Sequence, residues 1–262
     1  MFDYLLTVAG STDVGRVRTN NQDAYHLDVD SRFFVLADGM GGYTGGEVAS
    51  ALAVKTIAHH LDRFLQERHT SVRLPQDWLN RAVLLANEAV LQDAQAHPQR
   101  ADMGTTIVAV LPLKSMLWFA HVGDSRLYRF RDGQLQQLTA DHTLVADMVT
   151  HGLLEAHEAR RHPYRNVLSR CLGRPDLKQA TVNHVLVQPE DRFLLCSDGL
   201  TEEVTDAQIA EALSTYPIAP EACQNLVEQA NQHGGRDNVT VVVLSIHKQD
   251  GSASDGQPSM LR

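Results

Sequence analysis

The chain is poor in cysteine, with three residues in 262. Cys171, Cys196 and Cys223 are widely spaced and form no C-x-x-C pair, so neither a zinc ribbon nor a disulfide framework is indicated. A reducing compartment is therefore expected. There is no basic excess: 23 Lys+Arg stand against 32 Asp+Glu, a net charge of −9 with neutral histidines. That balance argues against general binders of nucleic acid or anionic membranes, which need basic surfaces. No apolar run approaches the ~20 residues of a membrane span. The most apolar stretch, from Gly104 to Val122, is interrupted by Pro112 and Lys114. The first ten residues, MFDYLLTVAG, lack the basic region of a secretory leader. These absences together lead us to expect a cytoplasmic protein.

What is present is a chain long enough to bury a substantial core without disulfide or metal staples. Strand-like runs cover Phe33–Ala37, Thr105–Leu111, Met116–Val122, Arg126–Phe130, Val182–Val187, Arg192–Cys196 and Val239–Ile246. Asp132-Gly133 marks a hairpin, and Pro112 to Ser115 a second turn. Helical spacing links Ser50, Val54, Ile57, Leu61 and Phe64, and again Trp78, Ala82, Leu85 and Ala89. Shorter helices are expected near Asp206–Leu213 and Glu221–Gln232, with Asp206 and Pro220 as start signals. Strands in runs with helices between or after them predict an α+β protein with antiparallel sheets. Residues 141–176 fit neither pattern and read as an insertion or flap. The polar stretch 248–262 reads as a disordered tail.

The aspartates carry the chemistry. FFVLA leads into Asp38-Gly39, WFAHV into Gly123-Asp124, RFLLCS into Asp198-Gly199, and Asp237-Asn238 precedes VTVVVL. Any one of these is explained as a turn. Four strand tips that converge are different, because like-charged carboxylates repel and a divalent cation relieves the repulsion. No His or Cys accompanies them at ligand spacing, so a hard Mg²⁺ or Mn²⁺ fits better than zinc. Other phosphate chemistries fail on spacing. The residues six after the cysteines are Leu177, Glu202 and Gln229, where a cysteine phosphatase needs Arg. Asp28-Val29-Asp30 resembles the start of an aspartyl-phosphate loop, but Arg32 stands where a small residue is needed. A Walker loop and a G-x-S-x-G elbow are both absent.

Nine stretches then occur in a characteristic order. They are Arg18-x-x-Asn21-Gln22-Asp23, ADGMGG (37–42), Gly45-Gly46-Glu47, MGTT (103–106), VGDSR (122–126), Asp141-His142, NVLSRCLG (166–173), SDGL (197–200) and GGRDNVT (234–240). Together they resemble the type-2C family of metal-dependent Ser/Thr protein phosphatases, in its bacterial form, over residues 5–247. The resemblance implies a four-layer αββα architecture, a β-sandwich of two antiparallel sheets flanked by helix pairs. It implies two Mn²⁺ or Mg²⁺ ions and room for a third. By motif, Asp38 bridges the two ions, Gly39 lends its carbonyl, and Asp198 and Asp237 hold the first ion. Asp23 orients bound waters, and Asp124 with Asp198 matches the pair for the third ion. Arg18 matches the arginine that grips the substrate phosphate. The general acid is unassigned, because Met40 and Tyr43 replace the histidines of relatives.

The implied activity is hydrolysis of phosphoserine and phosphothreonine in proteins, probed against two alternatives: a non-catalytic pseudophosphatase binding module and a small-metabolite phosphatase. Phosphoproteins, substrates of a cognate Ser/Thr kinase, are the expected partners of a monomeric chain. Within the flap, Arg160, Arg161 and Arg165 form a basic cluster expected to face an anionic phosphopeptide. His121 is expected in the core.

Overall fold

The apolar runs become strands covered on both faces. The computed structural model describes residues 2–28, 30, 32–67, 74–159 and 162–248. The stretch 249–262, most of the expected tail, lies outside them, as do Arg160 and Arg161.

One sheet contains β1 (Leu5–Asp13), β7 (Arg126–Arg131), β8 (Gln134–Gln137), β10 (Arg192–Cys196) and β11 (Val239–His247), in the order β1-β11-β10-β7-β8. The other contains β2 (Asp23–Leu27), β3 (Phe34–Met40), β5 (Ile107–Leu113), β6 (Met116–Val122) and β9 (Thr181–Leu186), in the order β2-β3-β5-β6-β9. The two-residue β4 (Gly104–Thr105) pairs with the end of β3. Every named pairing is antiparallel.

The alternating side chains of each strand serve two cores. Phe34 and Leu36 face inward between the sheets, with Phe119, Phe193, Leu195 and Leu244. Val35 and Ala37 face outward onto α1 (Gly42–Glu67) and α2 (Pro75–Ala96), where Ile57, Leu61, Val83 and Val90 pack. On the opposite side, Leu194, Val241 and Val243 meet Ile209 and Leu213 of α6 (Asp206–Thr215) and Leu226 of α7 (Ala219–His233). The layers are therefore helix pair, sheet, sheet, helix pair. Strands buried on both faces read as unbroken apolar runs, which is why the sequence showed strands but not which residues face which core.

Local chemistry explains the boundaries. Asp132 and Gly133 both have positive φ, +50° and +77°, the conformation of a two-residue hairpin turn. The second turn is narrower than expected. Leu113 pairs with Met116, so Lys114 and Ser115 form the loop, and Pro112 sits within β5. Thr205, not Asp206, caps α6: its hydroxyl accepts from the Gln208 N–H at 3.4 Å. In α1 the expected stripe Ser50, Val54, Ile57, Leu61 and Phe64 is buried throughout. In α2 the buried stripe is Leu79, Ala82, Val83, Ala86 and Val90. Trp78, Leu85 and Ala89 lie at its margin. Strands β1 and β2 were not anticipated, because polar residues such as Thr7, Ser11, Asp23 and His26 break their runs. The segment 141–176 contains α3 (Leu144–Thr150) and α4 (Ala156–Ala159), and is tied down by bridges from Thr143 to Leu168 and from Thr105 to Leu172.

Leu36 is fully buried between the sheets, whereas Leu186 is 54% exposed on an edge strand. Leu36→Ala should destabilise the fold by about 2–5 kcal/mol. Leu186→Ala should stay within about 0.5 kcal/mol of the parent. Urea unfolding with matched m-values checks both, and equal losses would contradict this placement of the core.

Candidate active site

Five aspartates gather at one end of the sandwich, and each sheet supplies part of the set. Asp23 and Asp38 are register partners on β2 and β3. Asp198 opens α5 (Asp198–Thr201), directly after β10, and Asp237 lies two residues before β11. Asp124 follows β6 in the turn that crosses to β7, from one sheet to the other.

The backbone beneath them is fixed by hydroxyls and amides. The Asp38 N–H donates to Thr106 Oγ1 at 2.9 Å, and the Asp38 carbonyl accepts from the Thr105 hydroxyl at 2.8 Å. Thr106 Oγ1 is in turn 2.7 Å from Ser125 Oγ, beside Asp124. Asp23 Oδ2 accepts from Ser197 Oγ at 2.8 Å and from Thr240 Oγ1 at 2.6 Å. Asn238 accepts from the Gln22 N–H and donates to the carbonyls of Val14 and Asn20, stitching the 14–22 loop to Asp237. Gly39 has no room for a side chain: a Cβ there would lie 2.0 Å from the Gly46 carbonyl oxygen.

The electrostatics follow from this crowding. Burial, then repulsion from Asp23, Asp198, Asp124 and Asp237, holds the Asp38 carboxyl well above its ordinary range. Asp198 is raised in the same way by burial, Asp124 and Asp237. Burial pushes Asp23 and Asp124 up to about 6. Asp23 Oδ1 is buried with no hydrogen-bond partner. Among the described residues no three His, Cys, Asp or Glu side chains stand in closed ligand geometry. The carboxyl groups instead form a loose all-oxygen set with an orphaned oxygen. Such a set fits a hard divalent cation, which satisfies several carboxylates at once.

Cations sit at the rim. Arg18 donates from Nη2 to Asp237 Oδ2 at 2.7 Å, and its side chain is 54% exposed. A cavity of about 430 Å³ opens beside Asp124 and Asp198, walled on one side by Val145, Ala146 and Arg165 of the 141–176 segment. Arg165 lies 3.8 Å from Glu202. Burial pushes Cys196 up to about 12 and Cys223 up to about 11, and raises the half-buried Cys171 as well, so none is held as a thiolate.

Residues 15–237 match the family model described as "Protein phosphatase 2C". The chain belongs to the protein phosphatase 2C family. It is 39% identical over 246 residues to the serine/threonine protein phosphatase PstP of Mycobacterium tuberculosis, covering 94% of this chain but 46% of that protein. The chain thus spans about half the length of that relative. It is 34% identical to the protein phosphatase PhpP of Streptococcus pneumoniae, covering 91% of this chain and 97% of PhpP. The crystal structure of the PstP catalytic domain in complex with two manganese ions superposes with a TM-score of 0.82 at 37% identity, covering 92% of this chain and 98% of that one.

Within this protein phosphatase 2C chain, the structure brings together Arg18, Asp23, Asp38, Gly39, Asp124, Asp198 and Asp237. Arg165 stands apart from that cluster, on the cavity wall. Sequence reasoning took Thr105 and Thr106 for ordinary strand residues and passed over the supporting hydroxyls of Ser125, Ser197 and Thr240. A signal for them existed: each sits within three residues of an aspartate motif or in MGTT.

Because the folded carboxyls hold protons that the unfolded chain releases near its ordinary Asp value, their contribution to stability is full below that value and is lost as pH rises through the folded-state value. With chelator present, stability should fall as pH rises from about 4 through about 6, since the folded state binds more protons across that window. Asp38→Asn should flatten this slope and raise Tm at pH 7. Calorimetric scans in EDTA test it, and an unchanged slope would contradict the repulsion.

Proposed function

We propose that the chain is a metal-dependent phosphoprotein phosphatase acting on phosphoserine and phosphothreonine. The observation that carries this reading is the set of mutually repelling aspartates at the sandwich end, with one half-exposed arginine at its rim. Asp38, Asp198 and Asp237, with the Gly39 carbonyl, would hold two Mn²⁺ or Mg²⁺ ions, and Asp124 with Asp198 a third. When bound, such ions supply an activated water for in-line attack and neutralise charge on the phosphoryl oxygens.

The chain's own residues supply the rest. Arg18 presents a planar fork that matches two phosphate oxygens. Its exposure leaves it free to turn from Asp237 to an incoming phosphate. Asp23, anchored by Ser197 and Thr240, keeps one carboxyl oxygen unpartnered and able to orient water. Cys196 and Cys223 are buried and burial raises all three thiols, Cys171 included, which disfavours a thiolate nucleophile and a thiol phosphoenzyme. The 141–176 segment forms a flap wall of the cavity, where the protein part of a substrate would rest. Phosphoproteins made by a Ser/Thr kinase are the proposed substrates, and the chain works as a cytoplasmic monomer. No helix among the described residues is long and apolar enough to cross a membrane.

Turnover of an aryl phosphate and of phosphothreonine peptides should require Mn²⁺ or Mg²⁺ and disappear in EDTA. Full activity after demetallation would sink the proposal. Activity on phosphopeptides should exceed that on small metabolites, and Asp237→Ala should abolish both while leaving a folded chain. Arg18→Ala should lose about 1.5–3 kcal/mol in kcat/KM, mainly through KM, as one charge-assisted contact is removed. Unchanged kcat/KM would exclude the phosphate role of Arg18.

A further inference from the structure

Asp124 stands in the turn between β6 and β7, directly after Gly123 and outside any strand or helix. Where it points therefore depends on the backbone of the Gly123–Asp124 turn. Gly123 has φ +106°, and a Cβ there would lie 2.6 Å from Thr106 Cγ2. Glycine is required, and glycine by itself does not hold a turn rigid.

The missing constraint comes from His142, at the root of the flap. The His142 N–H donates to the Gly123 carbonyl at 3.0 Å, and His142 Nδ1 accepts from the Gly123 N–H at 3.1 Å. An accepting Nδ1 places the ring proton on Nε2, which lies 3.1 Å from Thr181 Oγ1 and 3.3 Å from Arg170 Nη1, and Thr181 Oγ1 serves as acceptor for both Nε2 and, at 3.2 Å, Arg170. The ring lies flat against the buried His121, with centroids 4.7 Å apart and planes 5° from parallel. His121 is itself anchored at 2.9 Å to the Ala140 carbonyl. Burial, His121 and Arg170 push the His142 ring down to about 4, which keeps Nδ1 an acceptor at neutral pH. The His142 carbonyl also accepts from the Ser169 N–H at 2.9 Å, so the outgoing and returning ends of the flap meet at this residue.

We propose that His142 is a positioning residue that sets the aim of Asp124 through both backbone groups of Gly123 and ties that aim to the flap root. The inference rests on the reading of Asp124 as a ligand for the third ion. It gives His142 a task that the phosphate chemistry does not need.

Isosteric variants separate the two sides of the ring. In His142→Asn the amide oxygen replaces the Nδ1 acceptor, and in His142→Gln the amide replaces the Nε2 side. Gly123 amide exchange, followed by NMR, should remain near the parental rate in H142N. It should accelerate by about tenfold or more in H142Q and in His142→Ala, because the buried donor loses its acceptor. Manganese titration followed by electron paramagnetic resonance should show the weakest site within about threefold of parental affinity in H142N, and weakened about tenfold in H142Q and H142A. In an Asp124→Ala background the H142Q change should cost that titration nothing further. Thermal unfolding of all variants separates global loss of structure from loss of aim.

Parental exchange and affinity in H142A, or equal losses in H142N and H142Q, would overturn the proposal. A parent protein with no weak manganese site would refute the ligand reading of Asp124 and this role with it. Gly123 exchange would still show whether His142 holds the turn.

Discussion

Mutual repulsion among carboxylates is the constraint around which this molecule is organised. Asp38 and Asp198 are raised by burial and by each other's neighbours, and Asp23 and Asp124 share the same enclosure. A fold can hold such a set together only if stronger forces fix the backbone that carries it. Here those forces are two antiparallel sheets with a fully buried interface, reinforced on each outer side by a helix pair. The like charges stand at the ends of strands that their own repulsion cannot move.

Between the rigid core and the charged end lies a layer of small polar side chains. Thr105, Thr106 and Ser125 support Asp38 and the Asp124 turn; Ser197 and Thr240 support Asp23; Asn238 ties in the loop that carries Arg18. Short hydroxyl side chains lose little rotamer freedom and reach backbone groups directly, so they fix geometry at small entropic cost. Arg126 adds a bidentate ion pair to Asp141, with contacts of 2.7–3.1 Å that fasten the start of β7 to the residue before His142.

The flap is built on a different plan. Its roots at His142, Thr143, Leu168 and Leu172 are hydrogen-bonded into the body. Its middle presents Leu153 and Tyr164 to solvent and contributes Val145 to the core. Hydrogen-bonded roots and exposed apolar side chains between them give this segment lower local stability than the sheets, since local stability follows the density of buried contacts. Arg165, expected from the sequence to offer free positive charge, has Glu202 3.8 Å away. The positive charge of Arg165 on the cavity wall is thus partly balanced.

The central apolar strands, the long helices, the order of the motifs and the aspartates at the strand tips were legible in the chain alone. Those features are local: apolar runs bounded by Gly, Pro and Asp, helical spacing from Ser50 to Phe64, and Asp-Gly or Asp-Asn at strand tips. Tertiary structure decided the rest. The polar edge strands β1 and β2 exist because β11 and β3 present open ladders to pair with, a contribution no local pattern records. The inward and outward faces of β3 and β10 were invisible because both are apolar, and only sheet stacking tells them apart. The buried stripe of α2 was settled by packing, since its alanines and leucines permit neighbouring registers. The contacts that aim the site join residues far apart in the chain, such as Asp23 with Thr240 and Gly123 with His142. Their partners meet only once the sheets have formed, so a local reading can name the charged groups but not what holds them in place.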